Sequence, residues 1–217
     1  MTSRHDKTVR ALLDRHGRTF AADAGIKLAD RPAPLFQLLV LATLLSTRIR
    51  GDIAVAAARA LRDAGWTTAR GMAEATWAQR TKVLNRSGYA RYDERTSRML
   101  GDTAVRLGEQ YGGDLRRLRE HADGDVDALR ASLTTFKGIG GVGADVFLRE
   151  VQGVWPELRP FVDSRAGDGA KALGLPSSPR RLAGLVDGDD FVRLVAALVR
   201  VTIDNDADEV RRTARAA

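Results

Sequence analysis

The chain has 217 residues and carries 35 Lys and Arg against 28 Asp and Glu, a net charge of +7. Hydrophobic residues make up 44% and charged residues 29%, which supports a buried core and excludes a disordered chain. With no cysteine, disulfides, thiol nucleophiles, zinc–thiolate sites and cysteine-ligated iron–sulfur clusters are excluded together. The basic balance favours a polyanionic partner, nucleic acid or an acidic membrane surface, and does not choose between them. His5, His16 and His121 are scattered, so no metal site is expected.

Residues 1–18 are charged and lack the apolar run of a signal peptide. The longest uncharged stretch, 32–47, contains Gln37, Thr43 and Ser46 and is shorter than the roughly 20 apolar residues of a membrane span. A soluble, cytoplasmic protein that does not enter membranes is expected. Ala, Leu and Arg recur throughout without a period-2 run of β-branched residues, so the fold class is all-α. Residues 35–45 are apolar almost all round, as in a helix buried in a bundle, and Pro32 and Pro34 suit its first turn. Ala54, Ala56, Ala57, Ala58 and Ala60 allow a helix over 52–64 to pack closely. Further helices are expected over 72–85, 93–111, 125–134, 142–152, 164–173 and 190–203. The last has Phe191, Leu194, Val195, Leu198 and Val201 on one stripe. Loops are expected at 112–113, 138–143 and 176–179, with the Pro/Ser-rich 175–181 as a linker between lobes.

The most informative stretch is Phe136-Lys137-Gly138-Ile139-Gly140-Gly141-Val142-Gly143-Ala144. It reads as the end of one helix, a glycine turn and the start of another, with Phe136, Ile139 and Val146 packing the two helices. Glycines permit positive φ and close backbone approach, and amides at the second helix's start are placed to meet a phosphate. A Gly-x-Gly turn alone better suits a helix–helix corner with no ligand.

The fuller pattern resembles the helix-hairpin-helix element that grips DNA backbone. About twenty residues further on, Trp155-Pro156-Glu157-Leu158-Arg159-Pro160-Phe161-Val162-Asp163-Ser164-Arg165 is similar to the loop that follows this hairpin in the endonuclease III-like superfamily of DNA glycosylases. That loop ends in Val-Asp-Thr or similar. Leu44-Leu45-Ser46-Thr47-Arg48 resembles the family's Leu-Leu-Ser-x-Gln, and the segment from Ser87-Gly88-Tyr89 to Tyr92-Asp93-Glu94-Arg95 resembles its Gly-x-Tyr-x-x-Lys. The likeness runs over about residues 34–172.

The resemblance implies two helical lobes, 34–155 with the hairpin at about 129–152, and 1–33 together with 156–217. It implies a DNA repair glycosylase acting in base excision repair on double-stranded DNA with a damaged or mismatched base, as a nucleoid-associated monomer. Asp163 takes the catalytic position, and it also suits the N-cap of the helix starting at Ser164. Lys137, Gly138, Gly140, Gly141, Val142, Gly143, Arg48, Tyr89 and Arg165 are the expected DNA-binding residues. Arg48 and Tyr89 are candidates to enter the vacated base stack, and Tyr89 equally suits packing between helices.

Three departures narrow the expectation. Val142 stands where bifunctional members carry a lysine, so no Schiff base and no abasic-site lyase step are expected by that route. Arg48 replaces the family's Gln, and the cysteines that hold the iron–sulfur cluster of many relatives are missing. The expected activity is monofunctional hydrolysis without cofactor. The competing readings are a non-catalytic DNA-binding relative that recognises damaged, bent or branched DNA, and a basic helical adaptor with no nucleic-acid role. The Arg116, Arg117, Arg119 and Arg180, Arg181 clusters read as solvated faces, each with some prospect of touching DNA. The acids near 187–190 and 204–208 read as helix starts.

Overall fold

The computed structural model describes residues 4–216, the side chain of Arg4 excepted. Residues 1–3 and 217, at the ends of the expected second lobe, lie outside the described residues. The described chain is helical with no strand, the all-α class expected. It divides into two units, one of residues 21–157 and one of residues up to 20 with 158 onward. Residues 21–33 therefore belong to the larger unit, and 175–181 lies inside the smaller unit rather than between lobes.

The helices are α1 (Arg4–His16), α2 (Phe20–Asp23), α3 (Pro32–Leu45), α4 (Gly51–Asp63), α5 (Ala69–Glu74), α6 (Trp77–Arg86) and α7 (Asp93–Tyr111). They continue with α8 (Leu115–Ala122), α9 (Val126–Thr134), α10 (Gly141–Val151), α11 (Ser164–Leu173), α12 (Pro179–Ala183), α13 (Asp190–Asp204) and α14 (Ala207–Ala216). In the larger unit α3 is the centre. Nine of its residues between Leu35 and Leu44, Thr43 among them, are buried around its whole circumference, and α4, α7, α8 and α10 pack against it. Thr43 is tolerated there because its hydroxyl donates back to the Leu39 carbonyl at 2.8 Å. On α4 the small residues Ala54, Ala57 and Ala58 form the buried face with Leu61.

The single helix expected over 72–85 is instead two, α5 and α6. Thr76 breaks it by capping α6: its hydroxyl accepts from the Gln79 N–H, and the Gln79 side chain accepts from the Thr76 N–H. This reciprocal box satisfies two amides that would otherwise lack partners. Arg80 holds α5, α6 and α7 together. Buried at 6% exposure, it donates to the carbonyls of Ser97 at 2.9 Å, Met72 at 2.8 Å and Ala75. Burial pulls its guanidinium below its ordinary pKa. α8 was not expected from the sequence. Asp114 caps it by accepting from the Arg116 N–H at 3.0 Å, and Leu115, Leu118 and Ala122 bury one face.

In the smaller unit α13 packs against α1 and α11, and its expected stripe of Phe191, Leu194, Val195, Leu198 and Val201 is buried. α11 comes so close to α13 that a Cβ on Gly169 would stand 2.1 Å from the Leu198 carbonyl oxygen. α14 lies on α1, where Asp206 accepts from Arg15 at 2.5 Å and pairs with His16 at 3.0 Å. With no cysteine in the chain, this unit has no donor set for a thiolate-held iron–sulfur cluster, and apolar packing closes it. No described helix is long and apolar enough to cross a membrane.

Candidate nucleic-acid interface

The hairpin is built from α9, the turn at 135–140 and α10. Asp125 starts α9 by accepting from the amides of Asp127 and Ala128 at 2.8 and 3.1 Å. Phe136, Ile139 and Val146 are buried, so the turn is anchored from below, and the Ile139 N–H closes it onto the Phe136 carbonyl at 3.1 Å. Gly138 has φ +88°, in the region that disfavours a side chain, and a Cβ there would meet the end of Met99. Gly138→Ala is therefore expected to destabilise the protein by about 1–2 kcal/mol. Urea unfolding checks this, and an unchanged midpoint would show that the turn is not held in this conformation.

Two hydroxyls from the neighbouring helices fix the turn's carbonyls. Ser46, just past α3, reaches the Gly138 carbonyl at 3.0 Å while also bonding Thr43. Thr103 on α7 donates to the Lys137 carbonyl at 3.2 Å. Gly143 lets α10 approach closely, since its Cβ would lie 3.2 Å from Ser46 Cβ. Arg130 on α9 bonds Asp145 on α10 at 2.7 and 3.2 Å, tying the two helices of the hairpin side by side.

The start of α10 is left open. No side chain caps it; its first amide with a carbonyl acceptor is that of Ala144, which donates to Gly140 at 3.0 Å. The amides of Gly141, Val142 and Gly143 have no acceptor among the described residues. Gly143 is buried, so the donors that reach the surface, at the positive end of the helix dipole, are those of half-buried Gly141 and exposed Val142. Gly140 has extended backbone, so it needs no glycine for conformation. A Cβ there would meet nothing within 4 Å, and the position stays low beside the open amides. Val142 is 57% exposed.

Of the other expected residues, Lys137 is exposed and pairs with Asp102 at 2.9 Å. Arg48 is exposed in the bend two residues after Ser46. Tyr89 is not at the surface. It is fully buried, donating to the Leu44 carbonyl at 3.1 Å and bonded to the Thr47 hydroxyl, and burial raises its phenol above the ordinary pKa. A side chain so enclosed cannot enter a base stack; it fastens the end of α3, the packing role that its sequence position equally suits. Asp163 and Arg165 belong to the smaller unit. Asp163 is buried at 8% exposure and caps α11, its Oδ1 accepting from the Ala166 N–H at 2.8 Å, while Arg165 is exposed on the first turn.

The basic cluster on α8 carries acid partners: Arg116 pairs with Asp114 at 2.7 Å, and Arg119 with Asp30 at 3.0 Å and Glu157 at 2.5 Å. Among the described residues no group of three or more side chains is placed to hold a metal ion. Sequence reasoning missed Ser46, Thr103 and the Arg130–Asp145 pair as determinants of the hairpin. Each acts across chain separations that no local pattern reveals.

No protein-family model matches the sequence, and no curated protein matches it. Among solved structures the chain is similar to endonuclease III, in the structure of a trapped covalent intermediate with DNA, an estranged-adenine complex. The TM-score is 0.50 at 16% identity, over 93% of this chain and 86% of that one. At that identity the likeness establishes the fold: this is an all-α chain with the endonuclease III architecture.

Proposed function

We propose that the protein is a monofunctional DNA glycosylase that binds damaged duplex DNA, extrudes a modified base and hydrolyses its N-glycosidic bond. The observation that carries this reading is the uncapped α10 amide cluster, held out by Gly138 and Ser46, on a fold shared with endonuclease III in its covalent complex with DNA. The open amides of Gly141 and Val142 donate to a backbone phosphate, with Lys137, Gly140 and the hairpin's Gly143 beside them. Holding the strand there allows the target nucleotide to leave the stack, which the chemistry requires because the glycosidic bond is inaccessible within a duplex.

Asp163 supplies the carboxylate. Its bond to the Ala166 N–H fixes the group at the N-terminus of α11, where the helix dipole favours negative charge. In that position it stabilises oxocarbenium character at the sugar and takes a proton from the attacking water. Arg165, in the first turn of α11, meets the strand. Val142 offers no amine, so the product is an intact strand with an abasic site. Neither metal nor organic cofactor enters this scheme.

Duplexes each carrying one lesion (an oxidised pyrimidine, uracil, an alkylated purine or a mismatch) test the proposal when read with and without hot alkali. Strand cleavage that requires alkali is the expected result and names the substrate class. Cleavage without alkali contradicts the monofunctional assignment. Tight binding with no cleavage in either condition replaces the enzyme with a non-catalytic DNA-binding protein.

A further inference from the structure

Beside the hairpin turn the larger unit has an open cleft of 760 Å³, whose walls are the segment 91–99 on one side and Lys137 with Gly138 on the other. Arg91, Arg95 and Arg98 line it; Arg91 stands in the turn before α7, and Arg95 and Arg98, three residues apart in its first turns, share one face. All three are exposed and none has a carboxylate partner among the described residues. This contrasts with Arg15, Arg116, Arg119 and Arg130, each held by an acid. Of the two acids along the cleft, Asp93 and Glu94, the first is engaged within its own wall. It accepts from the Asn85 amide at 2.9 Å and from the Glu94 N–H at 2.7 Å. One turn beyond Arg98 on α7, Asp102 pairs with Lys137 of the facing wall at 2.9 Å.

Aromatic rings orient two of the guanidinium groups. Arg91 lies over Tyr92 at 5.3 Å and Arg98 over Trp77 at 5.8 Å. Stacking fixes the plane of a guanidinium without consuming its N–H donors, which stay available for the paired oxygens of a phosphate. Because the cleft is open and runs into the hairpin turn, its shape suits a continuing strand rather than an enclosed small molecule.

We propose that this cleft grips the sugar–phosphate backbone of the bound duplex through Arg91, Arg95 and Arg98, extending the hairpin's hold onto α7. The proposal rests on the reading of the protein as DNA-binding. The test is the salt dependence of binding to a lesion-free duplex by wild type, by the Arg91→Gln, Arg95→Gln, Arg98→Gln triple variant, and by a charge-matched control. The control is Arg10→Gln, Arg212→Gln, Arg215→Gln, on exposed faces of α1 and α14. Each phosphate contact contributes about 0.9 to the slope of log K against log salt. The cleft variant, short of three contacts, is expected to lose about 2.7 from that slope and at least about tenfold in affinity at 0.1 M salt, the control only a small part of either.

Equal slopes for the two variants overturn the cleft assignment while leaving the DNA-binding reading intact. Salt-insensitive or absent binding by wild type overturns both. If the triple variant melts early, Arg95→Glu alone serves, since Arg95 has no stacking partner to lose; an unchanged slope for that variant is also contrary to the proposal.

Discussion

Asp163→Asn is expected to slow base release by about 10²–10⁴-fold while leaving duplex affinity nearly unchanged. The substitution separates chemistry from folding because the side chain has two duties. As a cap, Asp163 accepts from the Ala166 N–H at 2.8 Å, and Asn caps a helix about as well as Asp. As a catalyst it needs a carboxylate, which Asn lacks. Asp163→Ala should lose both, unfolding about 1 kcal/mol more easily and releasing no more base than the Asn variant. Single-turnover rates and urea unfolding of the two variants, compared side by side, resolve the roles. If the Asn variant keeps about a tenth or more of the wild-type rate, Asp163 is a helix cap alone, since loss of a working acid–base group costs more than that.

Gly169→Ala is expected to destabilise the protein by about 3 kcal/mol, lowering Tm by about 6–12 °C. The methyl would be 2.1 Å from the Leu198 carbonyl oxygen and 2.8 Å from its carbon. Both are backbone atoms of α13, which cannot swing aside as a long side chain can, so α11 must move off α13. Because Asp163 opens α11, the displacement should also reduce base release. Gly167 on the same helix is the internal control. A Cβ there meets nothing within 4 Å, and Gly167→Ala should stabilise by about 0.5–1 kcal/mol through helix propensity. Melting curves in which the two variants moved together would show that α11 does not pack on α13 at Gly169.

The bounds of α11 and α7 are legible in the chain because they follow from local signals: Asp163 caps the first, and Gly112, at φ +61°, ends the second. The glycine pattern at 138–143 is local too, which is why the hairpin stands out in the sequence. Local reading fails where two signals compete. Residues 72–85 have helical composition, yet the Thr76–Gln79 box splits them. α8 carries Arg116, Arg117 and Arg119 along an otherwise short amphipathic helix, and the charge masks the Leu115–Leu118 face.

The determinants of the candidate interface were less accessible because they are tertiary. Ser46 reaches Gly138 across 92 residues of sequence, and Arg130 meets Asp145 across a turn. Tyr89 illustrates the converse. Its place beside Gly88 suits an exposed loop or a buried anchor, and only the Leu44 and Thr47 partners at its hydroxyl decide for the anchor.

The most direct test of the central claim is chemical. Wild-type protein is incubated with a duplex bearing one lesion, and the released material is identified by mass spectrometry alongside the length of the strand. The account expects a free modified base and a full-length strand that breaks only on heating in alkali, with both formed at least about a hundredfold more slowly by Asp163→Asn. A strand bound tightly across the whole lesion panel, with no base released, would contradict it.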